Sequence, residues 1–304
     1  MLLKPLPKIL FFGGKGGVGK TTLAAATAAG FAQQGEKVLL ISTDPAHSIG
    51  DLLDRELGDE PQELTPGLHV RELDPDRARI AYLATVKENI RRFAAPEFLR
   101  EAERQVELSG QHPGVAESAL FEALCRQLDS ADNWDRIIID TAPSGHTLHL
   151  LTLPESMAAW TEALLTRQSH LPASTAPEGE VRWRRARDIL EARRALFERT
   201  RNRLRDAHTS GFILVVNDDR LSVREGERVR TTLEQAGVFI PAVIVNKIAD
   251  GEHQVQARLQ DHFPRIPILS IAASMPAPQG LEGLAPVIQT MQMNGVVTQR
   301  GRKS

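Results

Sequence analysis

The chain has 304 residues, enough for one large α/β domain with insertions or for two modest domains. It is 41% apolar and 25% charged with a net charge of −2, an ordinary globular composition that gives no electrostatic reason to expect nucleic acid or an acidic membrane surface as partner. A single cysteine, Cys125, excludes an internal disulfide and any metal site built from several thiolates of one chain. The opening MLLKPLPK runs straight into an apolar strand, which leaves no room for a signal peptide. No apolar run approaches the ~20 residues needed to cross a bilayer. A cytoplasmic protein with no membrane span of its own is expected.

From Lys8 to Gln34 the pattern is strand, glycine-rich loop, helix: KILFFGG, KGGVGKTT, LAAATAAGFAQQ. Gly14, Gly19, Lys20 and Thr21 satisfy G-x-x-x-x-G-K-[ST], the phosphate-binding loop. Its glycines let successive N–H groups turn inward on a polyphosphate, and the helix N-terminus adds its positive dipole end. Lys20 then reaches the β- and γ-phosphates, and Thr21 ligates Mg²⁺. The residues expected on the nucleotide are Gly14, Lys15, Gly16, Gly17, Val18, Gly19, Lys20, Thr21 and Thr22.

Lys15 sits where an ordinary phosphate loop needs no cation. In GKGGVGKT it resembles the deviant Walker A ATPases, whose extra lysine reaches the nucleotide of a partner subunit. That group includes arsenical pump-driving ATPases, tail-anchored-protein targeting ATPases, the nitrogenase iron protein, and partition and septum-site ATPases. A solvated loop lysine is the plainer alternative.

Gly35 is a C′ stop for the first helix, and Lys37 to Thr43 reads as a second buried strand ending in DPAHSIGD. Asp44 therefore stands at the carboxyl edge of the sheet, where open α/β sheets bind ligands. DPAHS resembles switch I of the arsenical-pump and tail-anchor-targeting family, and the resemblance implies that Asp44 positions the attacking water; an Asp-Pro that merely opens a turn is the alternative. His69 to Leu73 forms a short strand. Leu83, Val86, Ile90 and Phe93 then make one apolar helical stripe, Gly110 to Gly114 interrupts, and Leu120, Phe121, Leu124, Cys125 and Leu128 make a second. Cys125 on that stripe reads as a packed core thiol.

In DRIIIDTAPSGHTLHLL the run Ile137 to Ile139 is a central strand, and Asp140 at its end stands where a Walker B acid holds the Mg²⁺ shell through water. TAPSGHT resembles switch II of the same family, which implies γ-phosphate sensing, with Gly145 supplying backbone freedom; His146 is a sensing residue or a structural one. An insertion follows from Pro154 to Asp206. His170 to Glu180 reads as a loop. Between Arg182 and Asp206 ten arginines face four acids, a long basic helix whose charge is either solvated or a docking face for an anionic partner.

The sheet resumes at Gly211 to Asn217, Pro241 to Lys247 and Ile266 to Ile271, with an amphipathic helix from Leu221 to Gly237. Asn217, Asp218 and Asp219 depart from the family's usual residues before that helix and leave the role of the loop open. Asn246-Lys247 is close to the guanine-reading N-K-x-D motif, but Asp250 lies one residue too far on. The resemblance instead implies that Asn246 contacts adenine and that Met275 to Leu284, including Pro276, is the adenine-side loop, so ATP is favoured over GTP.

The expected fold is α/β: a doubly wound, mostly parallel sheet of the P-loop NTPase kind, one domain over 1–304 with helical insertions at about 75–130 and 154–206. There is one phosphate loop and no internal repeat; since some arsenical-pump ATPases carry two tandem halves, the resemblance implies that this single half forms a homodimer around two nucleotides. The function implied is a Mg²⁺-dependent ATPase using ATP, with Asp44, Lys15 and Lys20 catalytic and Thr21 and Asp140 at the metal. It would drive arsenite or anion efflux through a membrane pump; the alternative is a targeting factor delivering tail-anchored membrane-protein clients. Arsenite binding lacks its several thiolates, and the targeting reading lacks a zinc Cys-x-x-Cys and a Met-rich groove, with five methionines in the chain. DPAHS and the missing basic tail disfavour a partition ATPase, and one cysteine excludes a nitrogenase iron protein.

Overall fold

Strands buried along their whole length must be covered on both faces, and the centre of this chain's sheet is built from such strands. A computed structural model of the protein describes residues 6–46, 48–93, 99–110, 113–141, 177–249, 252–274 and 276–297. Among them are eight strands: β1 (Ile9–Gly13), β2 (Val38–Ser42), β3 (Gln62–Thr65), β4 (Leu68–Glu72), β5 (Arg136–Asp140), β6 (Ser210–Asn217), β7 (Val243–Ile248) and β8 (Ile268–Ala272). They form one sheet in the order β3-β4-β2-β5-β1-β6-β7-β8. Every pair is parallel except β3 with β4. All residues of β1, β2 and β5 are buried.

The described helices are α1 (Lys20–Gln33), α2 (Ser48–Leu53), α3 (Pro75–Phe93), α4 (Leu99–Ser109), α5 (Pro113–Asp129), α6 (Pro177–Arg205), α7 (Arg220–Gln235), α8 (Glu252–Leu259), α9 (Gly280–Gly283) and α10 (Ala285–Met293). The described residues of 1–73, 131–151 and 203–304 form an α/β unit, and those of 74–130 and 152–202 a helical unit. In the α/β unit, α1 lies against β1, β2, β5 and α10. It is buried almost all round, which its alanine-rich sequence permits because small side chains let neighbours approach on every side. Gly35, at φ 85°, ends it as expected, its N–H donating to Ala32 O at 2.9 Å.

Three expectations are modified. β3 was not foreseen: its polar, largely exposed QELT has no apolar alternation, and it pairs through a hairpin turned at Gly67, φ 83°. The loop expected to run as far as Glu180 stops earlier, because Pro177 opens α6; proline's missing N–H and fixed φ suit a first helical position as well as a loop. The interruption expected at Gly110 to Gly114 is shorter, since α5 already starts at Pro113. The expected sensing segment at 142–147, with Gly145 and His146, lies outside the described residues, as does the insertion from 154 to 176.

In the helical unit, Phe121, Leu124, Cys125 and Leu128 of α5 are buried with Leu196 and Phe197 of α6, and the Phe121 and Phe197 rings stack at 5.7 Å. Much of the arginine charge of α6 is taken up inside the chain. Arg193 reaches Glu122 at 2.8 Å and Tyr82 Oη at 3.2 Å, and Arg199 grips both oxygens of Asp129 at 2.8 Å. Arg187 and Arg194 pair with Glu191 and Glu198 one turn along the helix. These pairs weigh against α6 as a free cationic docking face.

Cys125 is fully buried, and desolvation pushes its thiol up to about 12, with the Thr200 hydroxyl opposing. Thiolate is the reactive form, so Cys125 is expected to resist a maleimide at pH 8 in the native protein and to label once the chain is unfolded in urea. Rapid stoichiometric labelling of the native protein would contradict this packing.

Candidate functional site

A parallel sheet delivers the ends of its strands to one edge, and the polar residues of this chain gather there. β1 ends at Gly13 and α1 begins at Lys20. Between them Gly14 has φ 154° and Gly19 φ 94°. A Cβ on Gly14 would fall on the Val215 carbonyl, and one on Gly19 on the Asn246 amide, so both positions require glycine for space as well as for backbone conformation. Three loop carbonyls are held by side chains. Lys20 Nζ donates to Lys15 O at 3.2 Å, Lys247 Nζ to Gly17 O at 2.7 Å, and Asn246 Nδ2 to Val18 O at 2.8 Å.

The N–H groups tell the complementary story. Among the described residues, no carbonyl or side chain accepts from any backbone N–H between Lys15 and Thr22; the first loop-to-helix bond is Leu23 N to Gly19 O. A run of free donors at the N-terminus of a long helix binds an anion. Lys20 is itself buried, which lowers its pKa, while Asp140 and then Asp44 oppose the shift.

The acids come from neighbouring strands. In register across the sheet stand Glu72, Ser42 and Asp140, closing β4, β2 and β5, and Phe12, the residue before the last of β1. Threonines just past this row prolong the ladder: Thr43 N and Oγ1 donate to Asp140 O, and Thr141 Oγ1 to Phe12 O at 2.7 Å. Asp140 is completely buried, and neither carboxylate oxygen has a hydrogen-bond partner among the described residues. Its pKa is pushed up to about 7, mainly by burial and further by Asp44 and Glu72, with the Thr21 hydroxyl and Lys20 opposing. Buried, unsatisfied carboxylate oxygens near a threonine hydroxyl are the hard donor set that suits Mg²⁺ with a partly retained water shell, so Thr21 and Asp140 fit such an ion.

Asp44 follows β2 half-buried. Its N–H donates to Ser42 Oγ at 3.2 Å and its Oδ1 accepts from Ala46 N at 3.1 Å, so it opens a turn and still keeps Oδ2 uncommitted. The next helix, α2, is tied down twice: Ser48 Oγ lies 3.2 Å from Thr21 Oγ1, and the Gly50 N–H donates to buried Glu72 at 3.0 Å. Neither Ser48 nor Glu72 was singled out in the sequence; Glu72 is an acid at the end of a strand, as Asp140 is, but its strand LHVRE alternates and lacks the apolar run that marked Asp140. Lys15 is half-buried on the loop, and no described residue bonds its ammonium. Asn246 is buried at the end of β7; Pro276 is exposed after β8. A cleft of about 300 Å³ opens beside them, lined by Ile248, Ile271, Ala272, Ser274, Pro286 and Thr290. The segment Asn217 to Asp219, whose role was open, caps a helix: Asp219 accepts from Leu221 N and Ser222 N at the start of α7.

The raised pKa of Asp140 makes a stability statement. The folded carboxyl holds its proton up to about 7 while the unfolded one loses it near 3.8, so this group costs stability increasingly as pH rises between those values, and fully above them. In chelator, Asp140→Asn is expected to melt above the wild type by a margin that grows from pH 4 to pH 7 and then levels. Melting curves offset equally at every pH would refute the assignment.

The sequence pattern of the anion-transporting ATPase family matches residues 7–262. Over 242 residues the chain is 34% identical to a protein of Aquifex aeolicus (strain VF5) provisionally named arsenical pump-driving ATPase 2, covering 79% of this chain and 80% of that one. It is 32% identical over 264 residues to an arsenical pump-driving ATPase of Acidiphilium multivorum and 31% identical over 257 residues to one of Escherichia coli. Those two alignments take 84% and 83% of this chain but only 42% and 41% of the relatives, so the chain spans less than half their length. With its fold, its loop and its similarity to the Aquifex protein over about four fifths of both chains in agreement, the chain belongs to the anion-transporting ATPase family and is, by that membership, an ATP hydrolase.

Proposed function

We propose that the chain is a Mg²⁺-dependent ATPase that acts as a homodimer in the cytoplasm, coupling ATP hydrolysis to efflux of arsenite or another anion through a membrane partner. The observation that carries the nucleotide reading is the run of N–H groups from Lys15 to Thr22 from which, among the described residues, nothing accepts. The anion and the pump are supported by the names of the relatives. No described helix is long and apolar enough to cross a bilayer, and this reading assigns the crossing to a separate membrane partner.

Phosphoryl transfer to water needs charge neutralisation and positioning more than covalent chemistry. The loop N–H groups and Lys20 take the phosphate oxygens, and burial of Lys20 makes its charge act in a poorly screened site. Thr21 and, through water, Asp140 would hold Mg²⁺, which when bound would supply neutralisation of the phosphate charge. Asp44 orients the attacking water with its uncommitted oxygen, and Lys15 serves the nucleotide of the other subunit. On the base side, one N–H of Asn246 Nδ2 is held by the Val18 carbonyl, which orients the amide and leaves its Oδ1 as an acceptor and its second N–H as a donor for a base. The Oδ1 acceptor suits the exocyclic amino group of adenine. The cleft between the ends of β7 and β8 and the loop bearing Pro276 receive the purine. Hydrolysis then loosens the segment after Asp44 and lets the helical insertions act on the partner.

Arsenite, if it is the cargo, does not need to bind Cys125, whose thiol is buried and carries its proton. Soft As(III) takes several thiolates, and a dimer offers two such buried sulfurs.

Asp44→Asn is expected to bind ATP as the wild type does and to lose most turnover, because water positioning acts in the transition state and not in ground-state binding. Wild-type turnover by that variant would remove Asp44 from the mechanism. Lys15→Ala should likewise bind ATP and hydrolyse it slowly, since cations supplied across an interface contribute roughly 10³–10⁵ in rate. Mixed with excess Lys20→Ala, it should regain hydrolysis, because the Lys20→Ala subunit lends an intact Lys15 to its partner's otherwise complete site. Absence of recovery in verified mixed dimers would show that Lys15 works in cis or not at all.

A further inference from the structure

We propose that Lys247 is a positioning residue for the phosphate loop: it clamps the Gly17 carbonyl so that the loop's N–H groups face the phosphates before nucleotide arrives. The proposal rests on nucleotide binding at the loop between β1 and α1. Lys247 is the residue after Asn246 near the end of β7, and its backbone is left-handed, φ 59°. A residue with a Cβ avoids that conformation, and glycine or asparagine usually occupies it. The pairing of β7 with β8 also shifts register between Val245 and Ile248, so the ladder is broken just where Lys247 sits. The twist sends its side chain back over the loop, where Nζ donates to Gly17 O at 2.7 Å while neighbouring Asn246 Nδ2 donates to Val18 O at 2.8 Å.

The consequence follows from peptide geometry. In a planar trans peptide the C=O and the N–H point in opposite directions. Holding the Gly17 carbonyl outward therefore turns the Val18 N–H inward, and holding the Val18 carbonyl does the same for the Gly19 N–H. Lys20, through the Lys15 carbonyl, fixes the Gly16 N–H in turn. Among the described residues no further side chain holds the middle of the loop: Gly16 and Gly17 are exposed, and a Cβ on Gly17 would meet no atom within 4 Å. Without the Lys247 clamp, this freest stretch of backbone has to be ordered by the nucleotide itself, which weakens binding.

The clamp acts alike on ground and transition states, because it sets the loop and touches neither the γ-phosphate nor water. Lys247→Met keeps the apolar stem and removes the donor; Lys247→Gly removes the side chain and relieves the left-handed backbone. Both are expected to weaken ADP binding about 10-fold by calorimetry, the loss of one charge-assisted hydrogen bond. ATP should weaken by the same factor, so that KM rises while kcat holds. Lys247→Arg, which can still donate to the carbonyl, should restore affinity, and Lys247→Gly should melt no lower than the wild type. Affinity unchanged in Lys247→Met and Lys247→Gly, an arginine variant as weak as the methionine one, or a fall in kcat at constant KM would each overturn the clamp. A wild-type protein that fails to bind ADP would overturn the nucleotide reading beneath it.

Discussion

The structure turns on how close the loop after β1 lies to the strands beside it. At Gly14 the backbone meets the Val215 carbonyl of β6, and at Gly19 it meets the Asn246 amide of β7, with no room for a β-carbon at either point. Such an approach is available only in a sheet whose strands all end on one edge, and it is why β1 must be central, between β5 and β6. The strand order, the glycines and the free N–H groups are one arrangement seen at three scales. Move β1 to an edge and the loop would lose the side chains that hold its carbonyls.

That arrangement brings charge into a buried place. Asp140, Glu72 and Lys20 are all nearly inaccessible, and Asp140 has no hydrogen-bond partner among the described residues. A fold selected for stability alone would not leave a buried carboxylate unsatisfied, because desolvation makes such a group costly. The raised pKa of Asp140 and the lowered pKa of Lys20 are two signs of the same burial. Perturbed groups of opposite charge at one sheet edge mark a site built for a charged ligand and its counter-ion.

Much of this was legible in the sequence because it is local. An apolar run closed by an acid, a glycine-rich turn and an alanine-rich helix are each written in consecutive residues, and β1, β2, β5 and α1 came out where those runs lie. What failed was either weakly patterned or two-valued. QELT has no period to mark β3, and Pro177 fits a loop and a helix start equally well. The contacts of Asn246 and Lys247 with the loop went unread as well: their hydrogen bonds run to Val18 and Gly17, 228 and 230 residues earlier in the chain. No short-range pattern carries a contact of that span. The arginines of α6 meet the same limit: ten between Arg182 and Asp206 left a solvated face and a docking face open, and Glu122 and Asp129 on another helix take up two of them.

The segment from Asp44 to Leu53 shows how a local motif acquires a mechanical role. It is held at its start by Ser42, in its middle by the hydroxyl contact between Ser48 and Thr21, and one turn on by Glu72 through the Gly50 N–H. The first and third anchors belong to rigid strands. The second belongs to the side chain that fits a metal ion, and a hydroxyl that gives its lone pair to a cation becomes a stronger donor and a more demanding partner. Of three attachments, then, only the one at Ser48 changes with what the site holds. The residue expected to meet the attacking water lies four positions before it on the same short segment, so whatever alters the Thr21 hydroxyl is delivered first to Asp44.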